Sequence, residues 1–435
     1  MTIMTIRIYG EAEHRKSTAS HCMFLLIAFF CGFTVDAQLP DTWNALSDLP
    51  APERQQAACF SAGGFGYVFT GIDSAGTLLA DGYRYDPSND TWTALAPFPG
   101  GSRCGAVGFA INDTGYLATG FDGTDFLKDC WQYIPATDSW TRIQDLGAYL
   151  NGSFPGRTSA SAITANGKAY VLCGYDGSSG YLKQVLRFDP AKDTCWSVMA
   201  NFANNSQGLA GRRWCSGFSI GNFIYLGTGY SFSQDIKKDF WRLDLSTNSW
   251  SQVSDFGGGF RSNAFAFSLY GKGYIGCGTD GGIASDLWRY DPASNSWSRV
   301  ADFSGGNRMN TFSFTIGNKA YVGTGNSNLI AGQVNYFRDC WSYTPDSTVG
   351  LEEEFPAERL SIRRTENGWL IGAYENLPGK NESRLSIFTP DGRAVRHSVS
   401  STGQHFIAAG ILPPGMVLVR LESDGLPLLT GKIVF

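Results

Sequence analysis

The long central part of this 435-residue chain contains no histidine and a single glutamate, two residue types that often carry catalysis or bind metals. The four histidines lie towards the two ends of the chain, at His14, His21, His397 and His405. Glu53 is the only glutamate between Gln38 and Leu351. This scarcity excludes a histidine-based catalytic triad and a histidine metal site from residues 38–346. A general acid or base there has to be an aspartate, a tyrosine or Glu53.

Charge is also sparse, because charged residues make up 17% of the chain and the formal net charge is −5. Such a surface does not attract nucleic acid or an anionic membrane, so neither is an expected partner. Glycine, with 53 residues, and aromatic side chains, with 14%, are abundant instead. This combination is typical of a turn-rich protein built from β-strands.

An arginine stands thirteen residues before a tyrosine six times along the chain. In every unit a large apolar residue follows six residues after the arginine, and a glycine follows four residues after the tyrosine. A strand with an aromatic pair and, in most units, a strand centred on tryptophan come next. Repeats of about 40–50 residues indicate a propeller or solenoid, and four short strands make one antiparallel blade. The pairs are Arg54/Tyr67, Arg103/Tyr116, Arg157/Tyr170, Arg212/Tyr225, Arg261/Tyr274 and Arg308/Tyr321.

The sixth unit has no tryptophan strand after Tyr343, whereas a tryptophan without a unit stands near the N-terminus at Trp43. We therefore expect the segment around Trp43 to complete the last blade, which closes the ring and removes its open edges. The predicted fold class is all-β, a six-bladed β-propeller closed by an N-terminal strand and followed by a small C-terminal β-sandwich.

Residues 38–346 resemble the repeats of the kelch family, in which a glycine pair after the second strand precedes a tyrosine and a tryptophan. The chain departs from that pattern, because a threonine or cysteine stands directly before the closing glycine in place of the first glycine of the pair, as in Gly323-Thr324-Gly325. The resemblance implies a kelch-like propeller. It implies no single function, because kelch propellers serve both as enzymes and as binding platforms.

Residues 1–37 are predicted to be a signal peptide. His14-Arg15-Lys16 is basic, the stretch from Cys22 to Val35 is apolar, and small residues precede a cleavage site before Gln38. The alternative, a membrane anchor, would need roughly 20 apolar residues, more than this stretch provides. No membrane span is expected after cleavage.

Residues 347–356 break the repeat and are predicted to be a linker. Residues 357–435 alternate apolar and polar residues between turns, which predicts a β-sandwich. This part resembles the sorting domain of cargo of the bacterial type IX secretion system, through Leu385-Ser386-Ile387-Phe388, Asp391-Gly392 and the basic-apolar end of the chain. The resemblance implies the secretion machinery as a partner and a secreted or cell-surface location. A generic adhesion-type β-domain is the alternative.

Eight cysteines remain outside the signal peptide. Cys173 and Cys277 stand where other repeats have threonine, and Cys130 and Cys340 stand where Phe240 and Leu287 do. This register predicts thiols used as small buried side chains. An even count in an exported protein also allows disulfides.

The six repeated arginines are expected to lie near the central channel, on the face that carries the loops between strands two and three and between strands four and one. We call it the loop face. An aspartate follows four of the arginines after nineteen residues, and this spacing predicts internal ion pairs with charge-assisted hydrogen bonds. The predicted pairs are Arg54 with Asp73, Arg103 with Asp122, Arg157 with Asp176, and Arg261 with Asp280.

Arg212 and Arg308 have serine at the position of that aspartate, and Arg213 adds a charge beside Arg212. The hypothesis is that these three arginines form a patch for a carboxylate or sulfate. Trp214 replaces the small residue of other repeats; exposed, it would suit sugar stacking, and buried, it would fill a gap.

The loops at Asp122, Asp176 and Asp280 are expected to form turns rather than calcium sites, since each carries one acid. No metal and no cofactor is expected, and no catalytic residue is assigned.

The sequence thus predicts an exported or surface-displayed module that binds a glycan or a protein through the loop face. One alternative is an enzyme acting on acidic sugars, because Trp92-Thr93-Ala94-Leu95 and the stretch from Phe98 to Arg103 are similar to bacterial sialic acid epimerases with six kelch blades. The other alternative is a structural surface protein without a small ligand.

Overall fold

The computed structural model describes residues 41–151, 154–178, 180–203, 211–232, 235–327 and 334–345, and the backbone of seven strands between residues 360 and 434. The predicted signal peptide and linker lie outside these residues. None of the described residues forms a helix that could cross a membrane.

The described chain is all-β, and six four-stranded antiparallel sheets form the blades of the predicted propeller. Each strand is short. Burial alternates along the first strand of blade 1, whereas the second strands of the blades are almost fully buried. Blades 1 to 3 consist of Ala58–Ala62, Phe65–Phe69, Gly82–Asp86 and Thr91–Leu95; Val107–Ile111, Thr114–Ala118, Cys130–Ile134 and Ser139–Ile143; and Ser161–Ala165, Lys168–Leu172, Val185–Phe188 and Trp196–Val198. Blades 4 to 6 consist of Ser216–Ile220, Phe223–Gly227, Phe240–Asp244 and Ser249–Val253; Phe265–Leu269, Lys272–Gly276, Leu287–Asp291 and Ser296–Arg299; and Phe312–Ile316, Lys319–Gly323, Cys340–Thr344 and Thr42–Leu46.

The N-terminal strand closes the ring as predicted. Thr42–Leu46 pairs antiparallel with Cys340–Thr344, and Trp43 stands opposite Tyr343 in the register. The indole ring of Trp43 lies 4.7 Å from the ring of Phe303, and its Nε1 donates a hydrogen bond to the carbonyl of Ala301 at 3.2 Å. The strand pairing joins the two ends of the propeller, and the contacts of Trp43 hold blade 6 against the segment that follows blade 5.

The core lies between neighbouring blades. Phe60 stacks on Tyr67 of its own blade at 5.1 Å and lies 6.2 Å from Tyr133 of the next blade. Glycine opposite such a ring is required by space, because a Cβ at Gly115 would overlap the ring of Phe60. The repeat of one large apolar residue and one tyrosine therefore encodes the packing between blades.

The eight described cysteines are free thiols, and the four that the repeat register predicts to be buried are buried: Cys130, Cys173, Cys277 and Cys340. Burial raises the pKa of Cys59 and of Cys104 to about 11, so these thiols stay protonated near neutral pH.

The C-terminal part contains two antiparallel sheets. One consists of Leu360–Thr365, Gly368–Ala373 and Gln404–Ala408, and the other of Ala394–Ser400, Ser383–Phe388, Met416–Ser423 and Leu429–Val434. The β content agrees with the sequence pattern. The sandwich and its sorting role stay predictions.

Candidate functional site

A closed ring of backbone hydrogen bonds surrounds the central channel at the loop face. Each blade contributes one residue, whose N–H donates to the carbonyl of the equivalent residue in the preceding blade at 2.9–3.2 Å. All six have φ between 54° and 62°, which is uncommon for residues other than glycine. They line a cavity of about 170 Å³. The ring consists of Gln56, Gly105, Ser159, Trp214, Asn263 and Asn310.

The predicted arginine–aspartate pairs are wrong, because each of these arginines binds a different side chain from the predicted aspartate. Arg54 and Asp73 are opposite each other on paired backbone strands, but the Arg54 guanidinium turns away and binds Asp81, just before the third strand. Four other arginines do the same in their own blades. The ion pairs are Arg54–Asp81 at 2.7 Å, Arg103–Asp129 at 2.6 Å, Arg212–Asp239 at 2.6 Å, Arg261–Asp286 at 2.5 Å and Arg308–Asp339 at 2.5 Å.

The aspartates of the predicted pairs stabilise their own loops instead. The carboxylate of Asp73 accepts hydrogen bonds from the N–H groups of Ala75 and Thr77, and Asp122 accepts from Thr124 and Asp125. Asp176 and Asp280 accept in the same way from Gly180 and Gly282, at 2.7 and 3.0 Å. The turns expected of the Asp-Gly loops are therefore present.

Arg212 and Arg308 do not form an anion-binding patch. Their side chains are 1% exposed, and each already has an aspartate partner. Burial raises the pKa of Asp239, but the hydrogen bond and the charge of Arg212 outweigh it and hold this pKa below its usual value. That part of the hypothesis is wrong. It took the serines at the expected acid position to mean that these arginines lack an acid, but the acids stand just before the third strand, at Asp239 and Asp339.

Blade 3 departs from the arrangement of the other five blades. Its arginine, Arg157, is fully buried and donates to the side-chain oxygen of Gln184 at 2.6 Å, where the other blades have aspartate. Burial lowers the pKa of Arg157 to about 10, and the charge of the nearby Asp176 offsets only part of this effect. Asp176 is 5% exposed, and its Oδ2 has no hydrogen-bond partner among the described residues.

Arg213 lies in a cage of four aromatic rings at the junction of blades 3 and 4. Its guanidinium carbon is 3.7 Å from the ring centre of Trp214, and the other three rings lie at 5.0–5.8 Å. The residue is half-buried, and its side chain makes no hydrogen bond or ion pair with any residue that the structure describes. The cage rings are Tyr175, Tyr181, Trp214 and Tyr230.

The sequence left open whether Trp214 is exposed or buried, and the structure places it between the two. Its side chain is half-buried and lines the channel cavity, and its indole Nε1 is buried without a hydrogen-bond partner in the described part of the chain. A bulky residue at φ 57° is a strained choice, since four of the six ring positions hold glycine, serine or asparagine. Of the four residues proposed for ligand binding, Arg213 and Trp214 lie together at the channel mouth. Arg212 and Arg308 are buried in ion pairs and do not belong to the candidate site.

The opposite side of the channel mouth is lined by amides. Asn263 donates to Asn310 at 2.6 Å, and Asn310 donates to Gln55 at 2.7 Å and to Asn326 at 3.0 Å. Gln55 in turn donates to the hydroxyl of Tyr336 at 3.2 Å. These residues could not be identified from the sequence pattern, because the repeat does not fix them. The mouth therefore has a polar half at blades 5, 6 and 1 and a cationic, aromatic half at blades 3 and 4.

The sequence matches the KLHDC2/KLHL20/DRC7 Kelch-repeats domain over residues 29–229 and again over residues 150–325. These two matches together cover more than half of the chain. The protein belongs to the kelch-repeat family. A search of the curated proteins found no match.

Solved structures similar to this kelch propeller include the one titled "Structure of YjhT", with a TM-score of 0.54 and 19% sequence identity. The similarity covers 68% of this chain and 96% of that chain. At this identity it shows the shared fold alone. Kelch propellers are typically interaction modules, and the particular ligand has to be inferred from the site.

The site of this kelch propeller is marked by where its repeats stop being alike. Arg157 with glutamine in place of an aspartate partner, the Asp176 oxygen without a described hydrogen-bond partner and the caged Arg213 all lie in blades 3 and 4. Residues that obey the repeat are explained by the packing of the ring, whereas these are not. Among the described residues, no group of three histidines, cysteines or acids is placed to hold a metal ion. Arg213 in its cage places a cation beside aromatic faces, and this arrangement suits binding of an anion attached to an apolar or sugar-like surface.

Proposed function

We propose that this protein is a binding module that holds an acidic glycan on its loop face, at the junction of blades 3 and 4. The observation that carries the proposal is Arg213, a half-buried guanidinium that four aromatic rings surround and that no described acid neutralises. Five of the six repeated arginines have an aspartate, and the sixth, Arg157, is buried and donates to Gln184. Arg213 stands outside this set, is half-buried on the loop face and has donors available for a ligand.

The chemistry of the cage favours a carboxylate or sulfate carried by a sugar. The rings hold the guanidinium by cation–π attraction and restrict its orientation, so little side-chain entropy is lost when an anion binds. A charge-assisted, two-point hydrogen bond from arginine to a carboxylate or sulfate is short and directional. The aromatic faces beside it can pack against the C–H groups of a sugar ring, and the amide side of the mouth can meet its hydroxyl groups.

The test is binding of acidic glycans to the full-length protein and to Arg213→Ala, measured by glycan array and by calorimetry. We expect Arg213→Ala to lose affinity by about ten- to a hundredfold, because a hydrogen bond to a charged group contributes about 1.5–3 kcal/mol. Arg142→Ala removes an exposed arginine that pairs with Asp145 and is the matched control. Equal affinities of the wild type and Arg213→Ala would show that the site is not where the ligand binds.

We also propose that the propeller is exported and displayed at the cell surface, with residues 1–37 as the signal peptide and residues 357–435 as the sorting domain. The basic and apolar N-terminus and the resemblance of the C-terminal segment support this. Removal of residues 357–435 should leave the propeller inside the cell envelope, as followed by fractionation and immunoblotting. Appearance of the truncated protein in the medium would contradict the sorting role.

A further inference from the structure

Six aromatic side chains form a continuous band on the loop face, across blades 2, 3 and 4. Neighbouring rings in this band are 5.0–6.4 Å apart, centre to centre. We call it the aromatic ribbon. It consists of Phe121, Phe126, Tyr175, Tyr181, Tyr230 and Phe232.

The ribbon is confined to one half of the ring. In every blade the residue after the closing glycine bridges to a residue in the following loop, which fixes two side chains at the same place on the loop face. In blades 2 and 3 both are aromatic, and in blade 4 the first one is, with Phe232 nearby. The equivalent pairs elsewhere are Ile72 with Leu78, Thr279 with Ile283, and Asn326 with Tyr336. The propeller fold therefore does not require aromatic rings at these positions.

The ribbon stays accessible to solvent. Phe232 is 73% exposed, and the other five rings are half-buried. A soluble protein seldom leaves a row of aromatic rings exposed unless the row contacts a ligand or partner. Arg213 contacts three ribbon rings, Tyr175, Tyr181 and Tyr230, at 5.0, 5.5 and 5.8 Å, so its charge lies within the row and not at the Phe121 end.

From this geometry we propose that the ligand is a linear acidic oligosaccharide, which lies along the aromatic ribbon with several of its units in contact and with one carboxylate or sulfate bound by Arg213. This inference rests on the proposed function and adds that the site recognises a chain instead of a single sugar. Successive rings provide successive apolar faces for sugar units, and the single guanidinium selects acidic chains. A monosaccharide would occupy the cage and leave the ribbon rings on either side of it, Phe126 and Phe232, without contact.

The experiment is titration of the full-length protein with galacturonic acid and its α-1,4-linked di- to hexasaccharides, and with sulfated galactan oligomers of the same lengths. We expect the hexamer of the preferred series to bind at least about tenfold more tightly than the monomer, since each added aromatic contact contributes about three- to tenfold in affinity. Phe232→Ala and Phe126→Ala should each remove part of this gain and leave the affinity for the monomer unchanged. Melting temperatures show whether Phe126→Ala is folded. Because Phe232 is exposed, Phe232→Ala is expected to fold like the wild type.

Phe260→Ala is the matched control, because Phe260 is 53% exposed in a loop of the same face but makes no contact with the ribbon. Equal affinity for monomer and hexamer would overturn the oligosaccharide inference and leave the proposed function standing. Failure of both series to bind the wild type would overturn both. An acidic peptide of glutamate and glycine that bound as tightly, with the same dependence on Phe126 and Phe232, would also overturn the inference in favour of a protein partner.

Discussion

The two halves of the channel mouth have the same backbone and different side chains. In blades 5, 6 and 1 every repeated arginine has its aspartate, and the mouth is filled by a network of amides. In blades 3 and 4 one arginine has glutamine instead, a second lies in an aromatic cage, and a tryptophan holds a positive φ. Because the ring of backbone hydrogen bonds is unbroken in both halves, the difference does not arise from the fold. The proposed binding site lies in the half whose side chains depart from the repeat.

The largest expected effect comes from breaking a regular blade. Asp286→Ala leaves the Arg261 guanidinium, which is 3% exposed, without its acid. Removing one partner of a buried ion pair typically destabilises by about 3–5 kcal/mol. We expect a loss of that size in the free energy of unfolding, measured with urea.

The contrasting variant is Gln184→Ala in blade 3. Arg157 there already tolerates burial without an acid, so we expect a smaller loss, of about 1–3 kcal/mol for one hydrogen bond to a charged group. If the two substitutions cost the same, the blades are energetically alike and the comparison between the halves fails.

A second, smaller effect is the dependence of stability on pH. Although burial raises the pKa of Asp239 and of Asp286, the hydrogen bonds and charges of Arg212 and Arg261 prevail, and both pKa values lie below the ordinary 3.8. A carboxyl group with a lowered folded-state pKa stabilises the fold above its unfolded-state pKa and loses that contribution as the pH falls through the folded-state value. The free energy of unfolding should therefore decline below about pH 4.

Asp286→Asn removes one of these titrating groups, so its acid-induced decline should be shallower than that of the wild type. Gln184→Asn, which changes blade 3 without removing an acid, is the control and should decline in parallel with the wild type. Parallel curves for all three proteins would show that the aspartates of the regular blades do not govern the acid sensitivity.

The blade count, the closure at Trp43 and the burial of four cysteines could be predicted from the sequence, because each depends on a position that repeats at fixed register. The arginine partners could not be found by spacing from the arginine, since the loop between strands two and three varies in length and the true separation ranges from 25 to 31 residues. A usable signal was present at the third strand, where an aspartate stands two residues before the tryptophan in Asp129-Cys130-Trp131 and Asp286-Leu287-Trp288.

The cage around Arg213 was harder to foresee. Its rings come from two blades and from loops as well as strands, and no spacing within one repeat brings them together. A comparison across repeats would have pointed to it, because the residue after the closing glycine is aromatic at Phe121, Tyr175 and Tyr230 and not in the other three blades. In a propeller, departures from the repeat are thus more informative about function than the repeat itself.

The smallest expected effect tests whether blade 3 can be made regular. Gln184→Asp introduces the acid that five other blades have at the same place, and the shorter side chain then faces Arg157 as Asp81 faces Arg54, where both terminal nitrogens donate at 2.7 Å. Since an ion pair replaces a hydrogen bond between the charged Arg157 and a neutral amide, we expect a gain of about 1 kcal/mol in the free energy of unfolding, measured with urea. Gln184→Glu is the control. It carries the same charge on a side chain that is longer than that of aspartate, so its gain in the free energy of unfolding should be smaller. Affinity for acidic glycans should be unchanged in Gln184→Asp, because Arg213 and not Arg157 is the group exposed to the ligand. A fall in affinity would instead show that the uncompensated charge of Arg157 contributes to binding, and would extend the functional half of the mouth into the interior of blade 3.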